Sequence, residues 1–389
     1  MQIFYVITYI NCRLTCRICI NYIDKKIDLC YNVKCRRLGS FCEIARMSRG
    51  ESPRFDFLRK RFFKDKVFTR RRFAVGAKIT IIGAGNVGST IAFALSDEDI
   101  ASEIVLIDIN KNKVEGEAMD IAQGTFFRQP ISIIAGEYED AKGSDIVVIT
   151  SGVARKPGQT RIDLAQINLN IMKSITPEIV KVCPDALYVI VSNPMDIMTY
   201  AFTKYSGLPE NQIIGSGTLL DTARLRYALS EHYGVSQRSI HAYVFGEHGD
   251  TSFVPWSRAF VSCVHIDEYH RLMSHKNPEI KPLDKEYMID YVRNSGGVII
   301  KNKGATFYAI AQTVCQLCSM LLASSDSLLM VSSMMHGEYG IEDVCLSTLT
   351  LVGPNGMHGK VPMDLTYEEI RQLHASAESL KAVIAKLEF

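Results

Sequence analysis

The chemistry in this sequence starts at a histidine. His248 stands in Gly246-Glu247-His248-Gly249-Asp250, after the apolar run Ile240–Phe245. Glycines flanking a sharp turn hold an imidazole in the open, and imidazole takes and returns a proton near neutral pH. A carboxylate behind it fixes its tautomer and stabilises its cation. Asp221 is the candidate, in the helix-starting stretch Gly217-Thr-Leu-Leu-Asp221-Thr-Ala-Arg224-Leu-Arg226-Tyr. Asp221 and Arg224 are three apart and share one helix face; taken alone they read as a surface ion pair. Arg226, five beyond Asp221, lies about 140° further round and faces elsewhere.

A second group binds rather than reacts. Lys78–Ile82 is a short apolar strand feeding Gly83-Ala84-Gly85-Asn86-Val87-Gly88, and helical residues Ser89–Ser96 follow. A further apolar run, Glu103–Ile107, ends in Asp108, twenty residues beyond Gly88. Gly83 suits a tight turn, Gly85 lets backbone approach a pyrophosphate, and Gly88 lets helix and strand pack closely. The helix N-terminus offers unpaired N–H groups to the phosphates. Asp108 can bind the ribose diol and repels a 2′-phosphate, so the expected cofactor is NAD, not NADP. Hydride transfer between an alcohol and a nicotinamide moves one proton, which gives His248 its work.

These residues need strands to place them. Ile131–Ala135, Asp145–Thr150, Ala186–Val191 and Gln212–Gly215 read as strands, with helical patterns between them, notably Arg161–Val182. The expected fold is α/β: a Rossmann doubly wound parallel sheet followed by an α+β catalytic domain. Residues 77–215 form the NAD-binding domain and 216–389 the catalytic domain, with a helix near 301–323 placed to pack back on the former. Two loops at strand ends are chemically loaded, Ser151–Arg161 and Ser192-Asn193-Pro194, and ligands bind at such ends.

The stretches GAGNVGST, RKPGQTR, SNP, IGSGTLLDTARLRY, GEHGDTSFVPWS and KGATFYAIA, in this order and spacing, resemble the L-lactate and L-malate dehydrogenases over essentially all of residues 77–389. The resemblance implies that His248 is the acid/base and Asp221 its partner. Arg224 would grip the substrate carboxylate through two parallel hydrogen bonds. Arg161 would polarise the reacting carbonyl as its loop closes. Asn193 and Ser192 would lie beside the nicotinamide, Asn193 also touching substrate.

Arg155 divides the family's two substrates. It holds the loop position that meets the C3 substituent, where arginine resembles the malate enzymes; against a methyl group a desolvated arginine is unpaired, at a cost of about 3–5 kcal/mol. Glu247 and Trp256 around the histidine, GSGTLLDTARLRY, and Thr306 in KGATFYAIA resemble the lactate enzymes instead. The expectation is pyruvate and L-lactate as substrates, with oxaloacetate and malate as the alternative. Arg226 and His241 match the anion site at which bacterial lactate dehydrogenases bind fructose 1,6-bisphosphate between subunits, which would imply a homotetramer. Two ordinary polar side chains on the surface or in an interface are the alternative to that effector site.

Charge splits the chain. Residues 1–77 hold 18 Lys and Arg against 6 Asp and Glu, and residues 78–389 hold 26 against 36. Six of the 11 cysteines also fall in the first 42 residues. Their spacing makes no paired CxxC framework and no histidine lies among them, so no metal site is expected. The leader, residues 1–76, reads as a disordered extension or a stretch outside the mature protein, with Met47 a later start. Its Arg- and Phe-rich part also fits a transit peptide or a surface for RNA or anionic lipid. The acidic body adds no basic, aromatic-rich stripe, so a nucleic-acid binder is not expected. No apolar run reaches 18 residues, so no membrane span is expected either. Scattered body cysteines fit a reducing cytoplasm, and Cys315-x2-Cys318 in an apolar helix reads as core packing. A non-catalytic NAD sensor is the rival of another class, but it has no need of an acid/base pair.

Overall fold

The computed structural model describes residues 76–153, 160–276 and 278–389, with the leader strands β1 (Tyr5–Asn11), β2 (Leu14–Ile23) and β3 (Lys26–Cys35). Two units divide the chain, Met1–Phe73 and Ala74–Phe389. In the first, β1, β2 and β3 pair antiparallel in that order.

The second unit is built on a nine-stranded sheet. Six parallel strands form one part: β4 (Lys78–Ile82), β5 (Glu103–Ile107), β6 (Ser132–Ala135), β7 (Ile146–Ile149), β8 (Leu187–Ile190) and β9 (Ile213–Gly215). Their order in space is β9-β8-β7-β4-β5-β6, so the winding reverses between β4 and β7, where ligands bind. β7 and β8 are buried at every position, and both faces are covered, as continuous runs of Ile, Val and Leu require. The helices of this half are α1 (Asn86–Asp97), α2 (Lys111–Gly124), α3 (Arg161–Val182) and α4 (Met195–Ser206).

After β9 come α5 (Leu219–Tyr233), a small sheet of β10 (Ile240–His241), β11 (Phe260–Val261) and β12 (Val264–His265), then α6 (Ile266–Lys276), α7 (Lys285–Lys303) and α8 (Tyr308–Leu321). The long strands β13 (Ser327–His336), β14 (Glu342–Gly353) and β15 (Gly356–Lys360) run antiparallel and extend the parallel sheet through Ser332, which pairs with Gly215 of β9. Helix α9 (Tyr367–Ile384) closes the chain, started by a reciprocal cap between Thr366 and Glu369.

The run Ile240–Phe245 reads as one strand, but only Ile240 and His241 form one, and Phe245 makes a separate bridge, exchanging two backbone hydrogen bonds with Phe253. Side chains take up backbone between them: Arg226 Nε donates to the Ala242 carbonyl, Thr218 Oγ1 to the Val244 carbonyl, and the Val244 N–H donates to Thr222 Oγ1. Satisfied polar groups do not need a ladder.

Helix α8 follows the elements after β9 in sequence yet buries Ala311, Val314, Cys315, Leu317, Cys318 and Leu321 in one cluster with Ile79, Ile91, Leu95 and Val148 of the glycine-loop half. Burial, then Glu98 and Asp97, push the Cys315 thiol up to about 12, the reverse of what a redox cysteine needs. Leu95 is fully buried in this cluster. Leu95→Ala is expected to lower unfolding free energy by about 2–5 kcal/mol in denaturant titrations. A loss under about 0.5 kcal/mol, the range of exposed sites, would show that the α1–α8 contact carries no stability.

Candidate active site

The residues expected to bind the cofactor collect at the C-terminal ends of the parallel strands. Gly83 follows β4, Asp108 follows β5, Ser151 follows β7, and Ser192 and Asn193 follow β8 by two and three residues. Gly83 has φ +103°, and a Cβ there would lie 2.8 Å from both Ser151 N and Thr150 Oγ1. A Cβ on Gly88 would stand 1.8 Å from the Gly83 carbonyl oxygen, whereas one on Gly85 would meet nothing within 4 Å. Gly88 is therefore fixed by packing and Gly85 by open space, into which Asn86 and Val87 start helix α1. Asp108 accepts from the Ala84 N–H at 2.7 Å and the Asn110 N–H at 2.9 Å. That ties its carboxylate to the glycine loop, where a ribose would follow a pyrophosphate. Space over Gly85 and a carboxylate at its side fit a dinucleotide.

The reactive group is assembled from one helix and one loop. Asp221, in the first turn of α5, divides its carboxylate: Oδ2 lies 2.5 Å from His248 Nδ1, and Oδ1 accepts from Arg224 at 3.0 Å. The pair that reads as a surface contact is buried, the Asp221 side chain being 6% and Arg224 13% exposed. Burial alone would push the Asp221 carboxyl up, but the imidazole and then the guanidinium reverse that and hold it below the usual carboxylate range. In turn the Asp221 carboxylate, working against burial, raises the His248 pKa to about 9. The imidazole keeps 28% exposure, leaving Nε2 as the nitrogen not taken by Asp221. The Arg224 guanidinium also lies against α7, where a Cβ on Gly296 would stand 3.6 Å from it.

The histidine loop is fastened on several sides. Gly246, at φ +89°, exchanges two backbone hydrogen bonds with Ser347 of β14. The Glu247 N–H donates to Ser376 of α9 at 2.7 Å, and the His248 N–H donates to Asp196 of α4 at 2.7 Å. Asn168 of α3 is buried and joins the loops after β7 and β8: its side chain accepts from the Val153 N–H at 2.8 Å and donates to the Asn193 carbonyl at 2.6 Å. Ser192 Oγ donates to the Ser151 carbonyl at 2.6 Å. Asn168, Asp196, Ser347 and Ser376 were not legible as site residues. A polar residue inside the apolar pattern of α3 or α4 was the available signal for the first two.

The remaining predicted residues are placed as follows. Arg155 lies outside the described residues. Arg161 is the first residue of α3, and its side chain is likewise outside them. Thr306 is half-buried in the break between α7 and α8. Arg226 stacks on Tyr243 at 4.8 Å and bonds the carbonyl beside exposed His241, away from Asp221. Among the described residues no group of three or more metal-binding side chains occurs, and no helix is long and apolar enough to cross a membrane.

A doubly wound sheet with a dinucleotide loop and a histidine held by a buried aspartate defines an NAD-linked dehydrogenase. Residues 77–215 match the lactate/malate dehydrogenase NAD-binding domain, and residues 218–388 match the alpha/beta C-terminal domain of the same enzymes. The chain belongs to the lactate/malate dehydrogenase family. It is 45% identical over 304 residues to L-lactate dehydrogenase 1 of Clostridium acetobutylicum, spanning 78% of this chain and 96% of that protein. With L-lactate dehydrogenase of Acetivibrio thermocellus it shares 46% over 311 residues, 80% and 97% of the two chains. The ligand-bound crystal structure of the minor L-lactate dehydrogenase from Enterococcus mundtii superposes with TM-score 0.76 at 36% identity, covering 81% of this chain and 99% of that one.

The two glycines separate binding from folding. Gly85→Ala is expected to leave the melting temperature unchanged and weaken NADH binding at least about tenfold, a loss of about 1.4 kcal/mol. Gly88→Ala is expected to destabilise by about 1–3 kcal/mol. Calorimetric melting and NADH fluorescence titration measure the two effects; unchanged NADH affinity in Gly85→Ala would remove the loop from the cofactor site.

Proposed function

We propose that the chain acts as an NAD-dependent L-lactate dehydrogenase, interconverting pyruvate and L-lactate, with His248 as acid/base. The observation that carries this is the buried Asp221 carboxylate shared between His248 and Arg224. It supplies a proton donor and a carboxylate-binding guanidinium from one helix turn and one loop.

When bound, NAD would supply hydride acceptance and return; Gly83–Gly88 would hold its pyrophosphate and Asp108 its ribose. Arg224 holds the substrate carboxylate with the donors that Asp221 leaves free. His248, held at Nδ1 by Asp221, delivers a proton from Nε2 to the keto oxygen in reduction and removes one from the hydroxyl in oxidation. Arg161 polarises that oxygen, and Asn193 and Thr306 position the substrate. Arg155 meets the C3 substituent.

The L-lactate names of the relatives and the Glu247 and Trp256 context favour pyruvate over oxaloacetate. Steady-state kinetics with NADH and each keto acid, with and without fructose 1,6-bisphosphate, test this. Pyruvate is expected to have the higher kcat/KM, and Arg155→Gln to raise it further; a preference for oxaloacetate under both conditions would make the chain a malate enzyme.

Arg226 and His241 form the effector site in this reading, and the assembly is a homotetramer. Support comes from Phe126 and Phe127, 87% and 82% exposed on one chain, which a second subunit would cover. Free thiols at Cys183, Cys263, Cys315, Cys318 and Cys345 support a cytoplasmic setting.

The raised histidine sets a pH dependence. Reduction uses the protonated imidazole, so pyruvate kcat/KM falls as pH rises through the His248 pKa, about 9; lactate oxidation rises over the same range. Asp221→Asn removes the charge that raises it, and both profiles are expected to move to lower pH. His248→Ala is expected to cost about 10²–10⁴-fold in kcat. NADH oxidation unaffected by His248→Ala would indicate a sensor rather than an enzyme.

A further inference from the structure

Asp196 is an acid that the chemistry above does not use. It sits in the first turn of α4, directly after the Ser192-Asn193-Pro194 loop, and is 3% exposed. Each carboxylate oxygen has one donor: Oδ2 accepts from the His248 N–H at 2.7 Å, and Oδ1 accepts from Ser332 Oγ of β13 at 2.6 Å. These partners lie 52 and 136 residues away in the chain, so the contact belongs to the fold and is not a local cap. An acid this deeply buried is costly unless its charge meets an opposite one, and the nearest opposite charge is the protonated imidazole.

We propose that Asp196 is a positioning residue for His248: its carboxylate pins the histidine's main chain and, when charged, helps to hold the imidazole proton. Asp221 orients the ring from its Nδ1 side; Asp196 fixes the backbone that carries the ring and adds a second negative charge. The other groups facing this pair are Asp221 and Arg224 from α5, Glu247 on the histidine's own loop, and Cys345 from β14. Arg224 opposes the imidazolium, and Glu247 disfavours the Asp196 charge. Burial pushes the Asp196 carboxyl up to about 7, against the hydrogen bonds from Ser332 and His248. Its charge is therefore lost as pH falls through neutrality, while the hydrogen bonds persist, because a protonated Oδ1 can donate to Ser332 Oγ. The two effects of Asp196, geometric and electrostatic, thus separate.

This rests on His248 being the acid/base, and the test keeps the two claims apart. In Asp196→Asn the amide oxygen still accepts from the His248 N–H and the amide nitrogen can donate to Ser332, so the shape stays and the charge goes. The imidazole is titrated by NMR in the free full-length enzyme, and kcat/KM for pyruvate is followed against pH. The expected result is a His248 titration lowered by about 0.5–1 unit, with the kinetic profile displaced in the same direction. An unmoved titration overturns the proposal, whether or not kcat falls. A titration that moves while the kinetic profile does not supports it and overturns the acid/base assignment instead. Should the asparagine variant not fold, Ser332→Ala carries the same test. Loss of that donor favours the neutral carboxyl and lowers the His248 titration by a smaller step; no step there overturns the proposal.

Discussion

The site depends on one buried charge. An ionised carboxylate in a protein interior costs several kcal/mol unless its oxygens are partnered, and Asp221 has one oxygen on His248 and the other on Arg224. The same arrangement aims the imidazole, makes it a better proton holder, and leaves a guanidinium facing α7. Losing either cation leaves a negative charge stranded beside the other, so the three residues are energetically one unit. Substitutions among them should not add.

Much of the remaining structure delivers the members of that unit to each other. Asp221 and Arg224 arrive on a helix that begins four residues after β9, at the same end of the sheet as the glycine loop. His248 arrives on a loop with little regular structure of its own, so neighbouring elements must fix it. β14 does so through Ser347, α9 through Ser376 and α4 through Asp196. The antiparallel part of the sheet thus helps to hold the histidine loop in place. Helix α8 adds a second link, since it packs into the core of the glycine-loop half directly after the break that carries Thr306.

What could be read from the sequence follows from how local each feature is. The glycine loop and Asp108 lie within 26 residues and every role is a matter of backbone space, so residue types alone reveal them. The i, i+3 relation of Asp221 and Arg224 is equally local, but their burial is not, and only the partner 27 residues on turns a surface pair into a buried one. Strands β13 to β15 escaped notice because β13, Ser-Leu-Leu-Met-Val-Ser-Ser-Met-Met-His, is buried on both faces over most of its length and shows no alternation. Its serines read as polar interruptions, yet Ser332 is fully buried on an acid 136 residues away. Ile240–Phe245 misled in the other direction: its apolar, branched residues suit a strand, while side chains of α5 and the residue before it take the hydrogen bonds of Ala242 and Val244 in its middle.

The division of charge along the chain acquires a meaning at this site. An acidic body repels a keto acid at long range, and that repulsion is screened beyond about 8–10 Å at ordinary ionic strength. Capture must therefore be local, through cations held where solvent screens them little. Of the described groups, Arg224 and protonated His248 contribute the positive charges, and Asp221, charged Asp196 and neighbouring Glu247 the negative ones. A substrate carboxylate entering this set needs further positive charge beside it, and Arg161 at the start of α3 is the residue placed by sequence to supply some of it. Deprotonating His248 removes one positive charge from that balance, so a monoanionic keto acid should meet the site most favourably while the imidazole holds its proton. In the proposed reaction, proton and substrate then bind in support of each other, and the imidazole is charged when the keto acid arrives.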